Sequence, residues 1–226
     1  MSSKTKLLLL SCGSFNPITH MHLRIFELAR DTLHKTGLFE VVGGIMSPTH
    51  DAYKKAGLIE SKHRTAMCQL GTKSSDWIRV SLWESEQAAW STTITVLKHI
   101  QENAKQKTQP NYTTLPDNVR VRLLCGADLM ESFSVPGLWK DEDIKCIVGE
   151  FGLVVITREG CNPEQYIEKH HILQQFKDNI TLVEEWIPNE ISATKIRSAL
   201  NQNESIKYLV PDPVINYIKE HGLYSN

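Results

Sequence analysis

Lys6 to Cys12 read Lys-Leu-Leu-Leu-Leu-Ser-Cys and stop at once on Gly13. An apolar run without alternation, bounded by charge on one side and glycine on the other, is the pattern of a strand covered on both faces, as in a parallel sheet. Parallel strands cannot be joined by hairpins, so each must be followed by a crossover, usually a helix. The rest of the chain has to supply those crossovers. After a turn-rich stretch, Leu23, Phe26, Leu28, Ala29 and Leu33 recur at roughly helical spacing, which predicts an amphipathic helix to about Lys35. Phe39–Met46, Ile78–Leu82, Val119–Cys125, Leu153–Thr157 and Ile180–Glu184 are further short strand candidates. Ser61–Lys73, Thr92–Ala104, a segment around Pro163–Lys169, Ser192–Leu200 and Pro213–His221 read as helices, the last with a proline at its start and a glycine after its end.

Alternation of this kind defines an α/β fold: a Rossmann-like parallel sheet with helices on both faces and right-handed crossovers. At 226 residues, with 41% hydrophobic and 23% charged side chains, the chain reads as a single domain over residues 1–226 that can bury a core. Gln106–Asn118 is polar, carries two prolines and lacks periodicity, so a mobile surface loop is expected there. A formal net charge of -1 gives no general basic field, which disfavours wrapping nucleic acid but leaves room for a local cationic pocket. Four leucines are too few for the apolar region of a secretory signal, and nothing approaches the length of a membrane span. The five cysteines are scattered, without paired spacing, and read as reduced thiols of an intracellular protein with no zinc site.

The stretch after the first strand is Gly13-Ser14-Phe15-Asn16-Pro17-Ile18-Thr19-His20-Met21-His22. In an open parallel sheet, ligands bind beyond the carboxyl ends of strands, where a turn and a helix N-terminus offer backbone N–H groups to an anion. Gly13 lets the backbone approach a phosphate, Ser14 adds a hydroxyl, and Thr19 and His22, three apart, face the same way on a helical turn. Taken singly, each has an ordinary structural role: a cap at Thr19, a half-buried histidine, a glycine turn. Neither GxxxxGK[ST] nor GxGxxG occurs in the chain, which removes the sequence support for a P-loop ATPase or a common dinucleotide-binding domain. Near the other end, Ile191-Ser192-Ala193-Thr194-Lys195-Ile196-Arg197 opens a helix with a capping serine, a hydroxyl at Thr194 and positive charge at Lys195 and Arg197. Two anion sites at opposite ends of one chain point to a triphosphate.

The first stretch resembles the GxFxPxxxxH signature, with Thr19 and His22 as its (H/T)xxH pair, and the second the ISxTxxR signature, of the nucleotidyltransferase superfamily related to class I aminoacyl-tRNA synthetases. Asp51-Ala52-Tyr53-Lys54-Lys55, Trp83-Glu84-Ser85 with Trp90, Leu124-Cys125-Gly126-Ala127-Asp128, Leu138-Trp139-Lys140, Asn189-Glu190 and Lys207-Tyr208-Leu209-Val210-Pro211-Asp212 extend the likeness over nearly the whole chain, to the eukaryotic nicotinamide mononucleotide adenylyltransferases. The resemblance implies in-line attack by the 5′-phosphate of nicotinamide mononucleotide, or of nicotinic acid mononucleotide, on the α-phosphorus of ATP, forming NAD or deamido-NAD and pyrophosphate. Mg2+ is expected with the ATP, held mainly by phosphates and water, with no all-protein metal site.

By the same resemblance, Gly13, Ser14, Phe15 and Thr19 lie along the nucleotide phosphates and ribose, and His22 with Ser192, Thr194, Lys195, Ile196 and Arg197 holds the ATP phosphates. His22 and Arg197 are the implied catalytic pair. Gly126, Asp128 and Asn189 are implied ATP contacts. Lys55, with Tyr53 beside it, is implied to reach the acceptor phosphate. Trp90 and Trp139 are implied to frame the pyridine ring, helped by Thr93, Leu138 and Arg158, since flat indoles suit a cationic pyridinium. Two alternatives stay open: a phosphopantetheine-type adenylyltransferase, and a chaperone or binding protein, alone or alongside catalysis, which would add client proteins to the partners. A homo-oligomer is compatible with the sequence, and the absence of a basic insert favours cytoplasm over nucleus. Replacing Trp139 by alanine should raise the KM for the pyridine mononucleotide and leave that for ATP little changed in steady-state assays. An equal rise for both substrates would point instead to a damaged fold.

Overall fold

Leu7 to Leu10 are at most 1% exposed, so the run is covered on both sides, as its lack of alternation predicts. It is the centre of strand β1 (Thr5–Gly13) in a computed structural model that describes residues 4–53, 55–107, 115–157 and 162–224. The chain continues through α1 (His20–Lys35), β2 (Phe39–Pro48), α2 (Ser61–Gly71), β3 (Ile78–Val80), α3 (Thr93–Gln106) and β4 (Arg120–Gly126). Then come α4 (Ala127–Glu131), α5 (Asp141–Cys146), β5 (Leu153–Thr157), α6 (Pro163–Lys169), α7 (His171–Gln175), β6 (Ile180–Glu184), α8 (Ala193–Asn201) and α9 (Asp212–Glu220).

The six strands form one sheet in the order β3-β2-β1-β4-β5-β6. Sequence order therefore runs outward one way from β1 and the other way from β4, the arrangement of a Rossmann-like sheet, whose direction reverses between those two strands. Leu7 to Leu10 pair in parallel with Arg120 to Leu123, Leu123 to Gly126 with Leu153 to Ile156, and Leu153 to Thr157 with Ile180 to Glu184.

The chain gathers into two compact units. One comprises Met1–Ser11, Phe26–Gly44 and Thr92–Pro188; the other comprises Cys12–Ile25, Ile45–Ser91 and Asn189–Asn226. The first owes its core to the buried residues of β4, β5 and β6, Leu123, Val154 and Val183 among them, with the buried Leu97 and Ile100 of α3. In the second, α2 packs on α9, and both helices bury apolar residues, Met67 and Cys68 on α2 and Val214 and Ile218 on α9.

Every predicted strand appears within two residues of its expected ends, and every predicted helix is present. Three helices were not anticipated: α4, α5 and α7 are five or six residues long, too short to display a 3.6-residue period. Helix α5 runs straight into a π-helical turn, Ile147–Phe151, and it is this continuation that buries Ile147 and Val148. The expected loop at Gln106–Asn118 begins later than supposed, since Gln106 still belongs to α3 and Lys107 closes it in a left-handed conformation. Residues 108–114 of that loop lie outside the described residues. Truncating the buried Leu9 to alanine should cost about 2–5 kcal/mol. Urea unfolding would show this as a lower midpoint at unchanged slope.

Candidate active site

In the unit that contains residues 12–25, the turn after β1 is shaped by Phe15, which is buried and has φ +43°. Its ring lies 3.3 Å from where a Cβ on Gly13 would stand, so a larger residue there would have to displace it. The same ring meets the imidazole of His22 edge-on, centroids 5.2 Å apart.

Thr19, immediately before α1, is fully buried. Its Oγ1 lies 2.9 Å from His22 Nδ1, its backbone N–H donates to the same Nδ1 at 3.0 Å, and the His22 N–H points back to Thr19 Oγ1 at 3.4 Å. This is the reciprocal logic of a capping box, with histidine in the place usually held by Glu or Gln. Because a backbone N–H can only donate, Nδ1 is an acceptor, and a neutral ring carries its hydrogen on Nε2. The two side chains thus face each other, whereas the helical spacing suggested that both would face one phosphate. Thr19 fixes the tautomer and direction of His22.

Ser192 caps α8 by accepting from the Lys195 N–H at 3.3 Å, as its sequence position predicts, and Asn189 Oδ1 accepts from the Ile191 N–H at 3.0 Å in the approach. Ile196 is buried beneath the helix, while Thr194 and Lys195 are exposed. The two cations differ. Lys195 Nζ bonds to Glu190 on the surface, which offsets its charge, whereas Arg197 Nη1 donates to the carbonyl of Asn16 at 2.7 Å and Nη2 reaches Thr194 Oγ1 at 3.4 Å. Arg197 therefore joins the second sequence motif to the turn of the first.

Lys55 is exposed. Tyr53 stacks on Trp90, ring centroids 6.3 Å apart and planes 24° from parallel, and the indole is 47% exposed. An aromatic pair left open in this way offers a flat apolar face to a ring.

Arg64 is among the residues of this unit that carried no signal in the sequence. Arg64, on α2, has 0% exposure, and its guanidinium donates to the carbonyls of Ile59 (2.8 Å), Ser14 (3.0 Å) and Thr49 (2.7 Å) and to Asp51 Oδ1 (2.9 Å). Asp51 in turn accepts from the backbone N–H of Ser61 at 2.5 Å and its hydroxyl at 2.9 Å, capping α2 from ten residues away. Nearby, buried Glu84 accepts from the Ser47 hydroxyl at 2.6 Å, and burial pushes its carboxyl above the usual range despite that bond.

In the other unit, Gly126 ends β4 and Asp128 opens α4. Asp128 Oδ1 accepts from the Leu129 N–H at 2.9 Å and would lie 2.6 Å from a Cβ at position 126, so the carboxylate can fold back only over glycine. Trp139 is half-buried, its indole N–H donating to Ser132 Oγ at 3.0 Å and its ring standing edge-on to Phe133 at 5.0 Å. The neighbouring Leu138 is exposed, and Thr93 is the first residue of α3, capped by Thr92. Arg158 lies outside the described residues.

A glycine turn, an oriented imidazole and an arginine anchored between two motifs define a site of the nucleotidyl-transfer class. A cytidylyltransferase-like family model matches residues 10–199. The chain belongs to the nicotinamide/nicotinic acid mononucleotide adenylyltransferases: it is 46% identical to adenylyltransferase 1 of that name from Bos taurus, over all of this chain and 91% of the relative. It is also 45% identical to the nicotinamide-nucleotide adenylyltransferase of Drosophila melanogaster, over 97% of this chain and 61% of the relative. In fold it is similar to a solved nicotinic acid mononucleotide adenylyltransferase from Plasmodium falciparum complexed with APC, with a TM-score of 0.65 at 21% identity over 97% of each chain.

The Asp51 carboxyl is partly buried, which alone would raise its pKa, yet the bonds from Ser61 and Arg64 hold it below its ordinary value. A carboxyl depressed on folding contributes stability that is complete above its unfolded value, about 3.9, and is lost as pH falls through the folded one. The thermal midpoint should therefore drop as the solution is acidified below about pH 4. Asp51→Asn should flatten that acid limb in a calorimetric pH series; an unchanged limb would mean that other carboxyls cause it.

Proposed function

We propose that this protein transfers the AMP portion of ATP to the 5′-phosphate of nicotinamide mononucleotide, and also of nicotinic acid mononucleotide, releasing pyrophosphate. The observation that carries the reading is the reciprocal Thr19–His22 cap on the turn that also receives Arg197. No covalent enzyme intermediate is needed, so the protein's work is placement and charge stabilisation. His22 presents Nε2–H to the phosphate that becomes more negative during transfer, and Arg197 supplies a fixed positive charge beside it. Gly13, Ser14 and Phe15 line the path of the joined phosphates, with Thr194 and the first turn of α8 on the triphosphate. Lys55 reaches the acceptor phosphate, and Trp90 offers a face to the pyridine ring; in the other unit, Trp139 and Asp128 present an indole face and a carboxylate of the kinds that suit a pyridine ring and ribose hydroxyls.

The donor set of His22, Ser14, Thr194 and Arg197 suits phosphate oxygens far better than a bare cation. Mg2+ accordingly belongs with the substrate, coordinated by ATP phosphates and water, where it neutralises the triphosphate.

Chromatography of a mixture of protein, ATP, Mg2+ and either mononucleotide tests the reading: NAD or deamido-NAD should appear in step with pyrophosphate. No product from either acceptor would remove it. His22→Ala should lower kcat by about 10²–10³, the usual cost of one preorganised donor to developing charge, while affinity for the mononucleotide changes little. Single-turnover rates alongside equilibrium titration would check this, and an unaltered rate would take His22 out of the chemistry.

A further inference from the structure

Asn16 belongs to the glycine turn but sits away from any role assigned to it so far. It is only 2% exposed, and three of its polar groups are used by three separate segments of the same compact unit. Its backbone carbonyl accepts from Arg197 Nη1 at 2.7 Å, its Nδ2 donates to the carbonyl of Gly57 at 2.7 Å, and its Oδ1 accepts from the hydroxyl of Tyr224 at 2.8 Å. Gly57, at φ +70°, stands third in a turn closed by the Leu58 N–H on the carbonyl of Lys55, 3.2 Å away. The Asn16 side chain thus grips the turn that begins with Lys55, while its main chain holds Arg197.

We propose that Asn16, with its amide oriented by Tyr224, is a positioning residue that sets the acceptor-phosphate side of the transfer against the triphosphate side. This rests on the roles given above to Lys55 and Arg197. An amide offers a donor at one end and an acceptor at the other, and rotation by half a turn exchanges them. The Gly57 carbonyl needs the donor end, so a hydroxyl that donates to Oδ1 locks the useful orientation. Tyr224 can always donate, because burial pushes its phenol well above the usual tyrosine range.

The two ties are chemically separable. Arg197 is held by a main-chain carbonyl that no side-chain change removes, whereas the bond to the Lys55 turn comes from the side-chain amide. Tyr224→Phe therefore weakens the grip on the Lys55 turn and leaves the arginine in place. In steady-state assays of NAD formation we expect the KM for nicotinamide mononucleotide to rise about fivefold, the worth of one neutral hydrogen bond. The KM for ATP should stay within about twofold. Asn16→Asp keeps an acceptor for Tyr224 but has no donor for Gly57, so it should raise the acceptor KM with Tyr224 intact. The double variant Asn16→Ala/Tyr224→Phe should be no worse than Asn16→Ala.

Parallel rises in both KM values, multiplying effects in the double variant, or loss of folded Tyr224→Phe protein by near-UV circular dichroism would each overturn the assignment. Each would make the contact a general support of the fold. Wild-type protein that forms no dinucleotide would overturn the adenylyltransferase reading itself, an outcome distinguished by its independence of either residue.

Discussion

A guanidinium removed from water must replace its hydration with fixed acceptors, and few places in a protein can supply them. Arg64 finds four, three of them carbonyls from the glycine turn, from the segment after β2 and from the approach to α2. Carbonyls in irregular segments have no ladder to satisfy them, so the arginine and the loops solve each other's problem. The turn at Ser14, the bend at Thr49 and the start of α2 acquire their relative positions from one side chain. The fourth bond goes to Asp51, which then caps the helix that bears the arginine, closing the circuit with opposite charge.

That fixed frame explains the division of labour in the first motif. Thr19, wholly enclosed, acts on the imidazole, and by accepting at Nδ1 a neutral His22 ring carries its hydrogen on Nε2. Phe15 completes the support from the ring's edge. The histidine is held on two sides by the protein itself, so in the proposed transfer little rearrangement would be needed when charge develops. The second motif contributes differently. Its lysine is drawn off by Glu190 at the surface, and its arginine is the residue that reaches across to the first motif.

The chain announces its architecture through local patterns. β1 and β4 to β6 are short apolar runs whose meaning depends on their own residues, and the cap at Ser192 is visible for the same reason. The motif residues of the site are legible too, because the glycine turn and the α8 start each bring their groups together within a few positions. Arg64, Glu84, Asn16 and Tyr224 are not. Nothing near them in sequence says that they are buried; that depends on partners distant in the chain, 50 positions away for Arg64 and Ser14 and 208 for Asn16 and Tyr224. The short helices α4, α5 and α7 escape notice because their stability comes from packing of one or two residues, Met130, Ile144 and Leu173 among them.

The bonds from Asn16 to Arg197 and Tyr224 span 181 and 208 residues. Contacts of such separation are slow to form, since the intervening chain must surrender its freedom before they return anything. A growing polypeptide reaches the ribosome exit carrying the glycine turn long before the arginine and tyrosine that brace it have been made. The sheet can begin to assemble around β1 and β4 during synthesis, while the glycine turn gains these two ties only after Arg197 and Tyr224 have been made. The glycine turn is thus braced late in folding, by its most distant partners.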